Sequence, residues 1–137
     1  MSTHPGLAAA RALREGLEQE LARARAQADA LRAMDATALL ELAQAREQFA
    51  ATGRRLEQQL AGLCPSPSQD PDLGAEFSAI RTVAAELKST DTLNRQIAGA
   101  SHQVVTAWLG ALRPPAQGYN RHGARPQGAL STVSTRF

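Results

Sequence analysis

Apolar residues near the start of the chain recur at the spacing of an amphipathic helix. They step by three or four residues and share one helical face: Leu13, Leu17, Leu21, Ala24, Ala28 and Leu31. The pattern weakens over residues 34–37, where Asp35 is a good N-cap for a second helix. We therefore predict a first helix that ends near Asp35, although one helix continuing through this position is compatible with the same spacing.

A second apolar series is more regular. It alternates steps of three and four residues and runs Leu39, Leu42, Arg46, Phe49, Gly53, Leu56, Leu60 and Leu63. Such a heptad seam is typical of a helix that packs along a neighbouring helix. Arg46 and Gly53 interrupt the seam, and we interpret Arg46 as a side chain whose stem packs while its charge reaches water. Three prolines then predict a helix break over residues 62–72.

The third segment, residues 72–112, begins with a short apolar stripe and ends with a strongly apolar stretch, residues 97–112. At 100° per residue, the large apolar side chains of this stretch span a sector about 160° wide. A sector of about 100° is enough for a helix that packs on one neighbour. Two interpretations follow. Either the first two helices cover the whole sector, as in an ordinary three-helix bundle, or a partner helix binds part of it.

Composition favours a helical fold. Ala (28 residues) and Leu (17 residues) dominate the chain, and both are strong helix formers, whereas only five residues are aromatic. We predict an all-α fold, an antiparallel bundle of about three long helices. Strands favour β-branched and aromatic residues, so the composition argues against a β-sandwich or a barrel.

The last part of the chain differs from the rest. Residues 114–137 contain three arginines and no acidic residue, whereas residues 1–113 carry 12 basic and 13 acidic residues. We predict a helical domain, residues 1–113, and a flexible basic tail, residues 114–137. The net charge of +2 is too small to indicate a nucleic-acid-binding protein.

A break with an aspartate, Asp35, precedes a series of leucine, basic and apolar residues: Leu39, Leu42, Arg46 and Phe49. With this pattern, most of the chain resembles the FlgN family of flagellar export chaperones, in which lysine is usual at the position of Arg46. The third helix of the family has a leucine, two asparagines, a glycine and a leucine, and the corresponding residues are Leu87, Asp91, Asn94, Arg95 and Ile97. Asp91 therefore replaces the first asparagine, and Arg95 replaces the glycine.

The tail adds Tyr119 and Gly123 at the tyrosine and glycine spacing of the family. The resemblance implies a cytoplasmic chaperone that binds hook-associated flagellar proteins through their C-terminal helices and delivers them to the export gate. It places the cargo on the third helix and gives Tyr119 a role in docking on the export gate component. The candidate cargo-binding residues lie at the apolar end of that helix: Ile97, Ser101, Val104, Val105, Trp108, Leu109 and Leu112.

No arrangement of reactive side chains indicates catalysis. The three histidines lack the spacing of a helical metal site, and the single cysteine, Cys64, has no identifiable base. We predict no enzyme activity, no cofactor and no metal; the lack of a long apolar run predicts no membrane insertion and a cytoplasmic location. The alternative to an export chaperone is a homodimeric coiled-coil scaffold or adaptor, in which a second copy covers the apolar face.

Overall fold

The computed structural model describes residues 4–66 and 69–112, which form three α-helices and contain no strand. α1 spans Leu7–Ala33, α2 spans Ala36–Leu63 and α3 spans Pro71–Ala111. The predicted all-α class is confirmed. With 27, 28 and 41 residues, α1 and α2 are each about 40 Å long and α3 is about 60 Å long, at a rise of about 1.5 Å per residue.

Residues up to Ile97 form the first of two units in the chain, and its helices run up, down and up. α1 and α2 follow one another across a short turn and pack against each other. α3 runs parallel to α1, because ion pairs join Arg14 to Glu76 and, further along both helices, Arg25 to Glu86. The second unit contains the remainder of α3.

A Schellman-type turn separates α1 from α2. Met34 adopts a left-handed conformation (φ 55°, ψ 37°), and its N–H donates to the carbonyl of Leu31 at 3.2 Å. The N–H of Asp35 donates to the carbonyl of Ala30 at 2.9 Å. The Asp35 carboxylate accepts from the N–H of Ala38 at 3.0 Å and so caps α2. The helices are therefore separate, with Asp35 as the N-cap, and the continuous helix is excluded.

The second break lies where the prolines predict it. α2 ends at Leu63, and α3 begins at Pro71, whose missing N–H is not needed in the first helical turn. The Asp70 carboxylate accepts from the N–H of Asp72 at 2.9 Å and from the N–H of Leu73 at 3.3 Å. A proline and a capping aspartate thus fix the start of α3.

Small residues of α1 build much of the core of the first unit. One buried cluster joins all three helices and consists of Ala9, Ala10, Leu13, Leu60 and Leu73. Further along α1, Leu21, Ala24 and Ala28 are also buried, as their spacing predicts. Alanine allows helices to approach closely, but each buried alanine removes little apolar area from water, so the core is thin.

The Phe49 ring packs against two glycines. It lies between Gly53 of its own helix and Gly16 of α1. A Cβ on Gly16 would lie 2.7 Å from the ring, closer than carbon atoms approach, whereas one on Gly53 would lie 3.4 Å away. The glycine on the facing helix, not the one within the seam, is therefore required by the packing.

Replacing Met34 with glycine is expected to stabilise the protein. A left-handed residue other than glycine costs about 1–2 kcal/mol, and glycine adds about 0.5–1 kcal/mol of unfolded-state entropy, so the expected net gain is about 0.5–1 kcal/mol. The Met34 side chain is 66% exposed, so little packing is lost. Urea unfolding of Met34→Gly measures this gain. Met34→Ala is the matched control, since it retains the strain, and equal stability of the two variants would contradict the prediction.

Candidate functional site

The residues predicted to bind cargo form the apolar end of the third helix and are referred to below as the distal α3 face. Ile97 and Ser101 are half-buried. The five larger apolar residues are 38% to 68% exposed: Val104, Val105, Trp108, Leu109 and Leu112. These five side chains are therefore exposed large hydrophobic residues.

The exposed face belongs to a heptad repeat that runs along the whole of α3. Its a and d positions are Leu73, Phe77, Ile80, Ala84, Leu87, Asp91, Asn94, Ala98, Ser101, Val105, Trp108 and Leu112. As far as Asn94 these positions are buried or half-buried, except Ala84. From Val105 onward they are exposed. The repeat that packs in the first unit therefore continues into a stretch where its large side chains lie in solvent.

Exposed apolar residues are concentrated in this stretch. Of the eight large hydrophobic residues exposed within residues 4–66 and 69–112, five lie between residues 104 and 112. The other three are Met34, Leu40 and Leu93, none of which lies in the same stretch as these five. A Cβ added to Gly99 or Gly110 would meet no atom within 4 Å. Clustered apolar exposure of this kind marks an interaction site, whereas single exposed residues do not.

An ionic cluster in the first unit was not predicted from the sequence. Arg46, placed at a seam position of α2, donates from Nε to the carboxylate of Glu20 on α1. Its other nitrogens donate to Gln27 Oε1 at 2.6 Å and to Asp91 Oδ2 on α3 at 2.9 Å. Arg46 thereby joins all three helices. Together with Asn94, these residues are referred to as the Arg46 cluster.

Because they are buried, the charged residues of the Arg46 cluster depend on one another for their stability in the fold. Glu20 is only 4% exposed, and an unpaired carboxylate there would cost several kcal/mol. The hydrogen bond to Asp91 raises the pKa of the Arg46 guanidinium above its ordinary value; burial opposes this shift and the Glu20 bond adds to it. The charge of Arg46 is thus neutralised by carboxylates of two other helices while its side chain stays 21% exposed, so the sequence interpretation missed the ion pairs.

Asn94 completes the cluster from the α3 side. Its Nδ2 donates to the carbonyl of Ala24 at 2.9 Å and to Gln27 Oε1 at 3.5 Å. Its Oδ1 is buried without a hydrogen-bond partner in the described part of the chain. A solvent-open cleft of about 470 Å³ lies beside the cluster and is lined in part by Glu20, Arg46 and Phe49. The sequence did contain one indication of the Arg46 cluster, because polar residues occupy seam positions in both α2 and α3.

Cys64 and His4 meet near the start of α1. Cys64 Sγ and the His4 ring both lie against Gly6, whose N–H donates to His4 Nδ1 at 3.0 Å. In residues 4–66 and 69–112, no group of three histidine, cysteine or carboxylate side chains is placed to hold a metal ion. None of the three helices is long and apolar enough to cross a membrane. Tyr119 and the predicted tail, residues 114–137, lie outside the described residues.

Comparison with known proteins identifies no relative. No family model matches the sequence, and neither a curated protein nor a solved structure matches the chain. The distal α3 face and the resemblance of the sequence motifs are therefore the features that indicate a function.

Removing the Arg46 side-chain charge is expected to destabilise the fold strongly. In Arg46→Met, the buried Glu20 loses its main partner, and breaking such a pair costs about 3–5 kcal/mol. Arg25→Met is the matched control, because it breaks an exposed ion pair with Glu86 that contributes less than about 1 kcal/mol. Urea unfolding compares the two variants. Equal losses of stability would contradict a central role for the Arg46 cluster.

Proposed function

We propose that this protein is a cytoplasmic chaperone of flagellar type III export that binds the C-terminal helical segments of hook-associated proteins. The observation that supports the proposal is the distal α3 face, where three large apolar side chains of a heptad seam and two beside it are exposed. The resemblance to the FlgN family supplies the class of cargo and the destination at the export gate.

The exposed seam has the chemistry needed to bind an amphipathic helix. An unassembled cargo helix carries an apolar face that would otherwise aggregate, and burying it against α3 removes both surfaces from water. Trp108 is suited to be the anchor, because tryptophan is enriched among the residues that dominate binding energies. Each large side chain that becomes fully buried contributes about 1.5–3 kcal/mol before the cost of association is subtracted.

The size of the face is consistent with reversible binding. From Ile97 to Leu112 the chain extends about 22 Å when helical, enough for two heptads of a partner. A single short helix pair buries an area at the low end of specific interfaces, below about 1,200 Å². Such an interface holds a cargo segment in the cell and still allows release at the export gate.

Trp108→Asp is expected to weaken cargo binding by at least about 30-fold, because it removes an anchor worth about 2 kcal/mol and adds a charge to the seam. Leu40→Asp is the matched control: Leu40 is a similarly exposed apolar residue, but it lies on α2. Isothermal titration of C-terminal peptides from candidate hook-associated proteins measures the affinity. Pull-down from cytoplasm tests whether the same proteins leave the bound fraction.

Two outcomes would contradict this proposal. If Trp108→Asp and Leu40→Asp bind cargo equally well, the distal α3 face is not the cargo site. If the parent protein sediments as a dimer that Trp108→Asp dissociates, and no peptide binds, the face serves a second copy and the homodimeric scaffold or adaptor is correct.

Tyr119→Ala is expected to reduce secretion of the cargo while leaving its binding affinity within about two-fold, a change of about 0.4 kcal/mol. The reason is that the family resemblance implies two separate binding sites, one for cargo on the third helix and one for the export gate at the tail tyrosine. Secretion assays and peptide titration measure the two effects separately. Tyr119→Phe tests whether the ring or the hydroxyl is needed. Loss of cargo binding in Tyr119→Ala would overturn this division of roles.

A further inference from the structure

The cleft beside the Arg46 cluster has an apolar lining that the first unit leaves open to solvent. All of its lining residues belong to that unit, and its apolar side chains come from α2 and α3: Ala43, Phe49, Ala50 and Leu87. Its volume is about 470 Å³, within the range of about 300–1,000 Å³ that is usual for binding sites. Phe49 and Leu87 are only half-buried, so covering the cleft would remove apolar surface from water.

The cleft lies along a helix whose apolar seam is incompletely covered. Of the 28 residues of α2, only Gly53 and Leu60 are buried, whereas α1 buries nine of its 27 residues. The larger seam residues of α2 remain half-buried: Leu39, Leu42, Phe49, Leu56 and Leu63. A seam that its own chain covers only in part is able to bind a further helix, because the added helix buries the remaining apolar surface.

The lining of the cleft carries one uncompensated negative charge. Glu47 lines the cleft, is exposed, and makes no ion pair or side-chain hydrogen bond in the described part of the chain. The neighbouring charges are already balanced. Arg46 pairs with Glu20 and Asp91, and Arg23 also pairs with Glu20, so that two cations meet two carboxylates. Glu47 is therefore the charge that a bound partner would meet.

The openness of the cleft favours a helix over a small molecule as its occupant. A small-molecule site encloses most of its ligand, whereas this cleft is open to solvent and lined by residues of three helices. A helix lying across it presents two side chains one turn apart, at positions i and i+4, on the same face. A large apolar side chain covers Phe49 and Leu87. A lysine or arginine packs its stem along the alanines and places its charge at Glu47.

We infer, independently of the proposed function, that this cleft is a second binding surface, which takes an amphipathic partner helix with a large apolar residue and a basic residue one turn apart. The cleft shares no residue with the distal α3 face. A helix with an acidic residue at the second position meets like charge at Glu47 and is disfavoured. Complementary charge here selects among amphipathic helices that the apolar lining alone would discriminate weakly.

Three synthetic peptides, each carrying a fluorescent dye, test this assignment by anisotropy with the full-length protein. They share an alanine-rich sequence of about 18 residues, or about 27 Å of helix, with one central leucine. The residue four positions after the leucine is lysine, glutamine or glutamate. We expect the lysine peptide to bind about five-fold more tightly than the glutamate peptide at low salt, with the glutamine peptide between them and the difference decreasing as salt is added.

Two pairs of protein variants locate the binding surface. Glu47→Lys should reverse the order of the peptides, whereas Glu41→Lys should keep it, because Glu41 is exposed on the same helix but does not line the cleft. Ala50→Phe fills the cleft and should weaken the lysine peptide by at least about ten-fold. Ala51→Phe, at the next exposed position, is its matched control and should bind like the parent. All four positions are exposed, so the variants are expected to fold, which circular dichroism verifies.

Several results would overturn the assignment of this cleft. One is failure of the lysine peptide to bind, and another is an order of affinities that Glu47→Lys leaves unchanged. Equal binding of a lysine peptide with a central proline would exclude a helix as the occupant. A dimer that Ala50→Phe dissociates would make a second copy the occupant. Peptide binding should persist in Trp108→Asp; its loss there would place the peptides on the distal α3 face instead. The proposed function is tested separately, by the cargo titrations.

Discussion

The apolar side chains of a helix must be buried against another surface along the whole length of the seam. This requirement determines how α3 is packed and where it is exposed. α3 has 41 residues and α1 has 27, a difference of 14 residues, or about 21 Å of helix. The first unit ends at Ile97, which leaves 14 further residues in the helix, Ala98 to Ala111. The heptad repeat does not stop where the first unit ends. The tryptophan, valines and leucines are exposed because the heptad repeat of α3 continues past the end of the first unit.

The elements of the fold were predictable because their signals are local. Asp35 caps α2 through a hydrogen bond to a residue three positions away, and Asp70 acts in the same way on α3. The seams of α1 and α2 could be read from spacing alone. The exposure of Trp108 could not, because periodicity shows that a side chain belongs to an apolar face without showing how much of that face the chain itself covers.

The Arg46 cluster escaped prediction for a physical reason. Its members are Glu20, Gln27, Arg46, Asp91 and Asn94, and up to 70 residues of sequence separate groups that are hydrogen-bonded. Taken singly, Arg46 is an arginine in a leucine seam, for which exposure of the charge to water is the ordinary expectation. Only the alignment of three helices brings a buried glutamate, an arginine and an aspartate together. Polar residues at seam positions in two helices should therefore be interpreted together, as an indication of a buried polar cluster between those helices.

The Oδ1 of Asn94 is a buried acceptor that has no hydrogen-bond partner among the residues the structure describes. A buried acceptor without a partner costs about 1–3 kcal/mol. A designer could replace the whole polar centre with well-packed aliphatic side chains and obtain a sturdier scaffold, since such replacements are often neutral or stabilising. The same change would remove an ion-pair network that fits one alignment of the three helices, and would leave that alignment to the Phe49 packing and the ion pairs between α1 and α3.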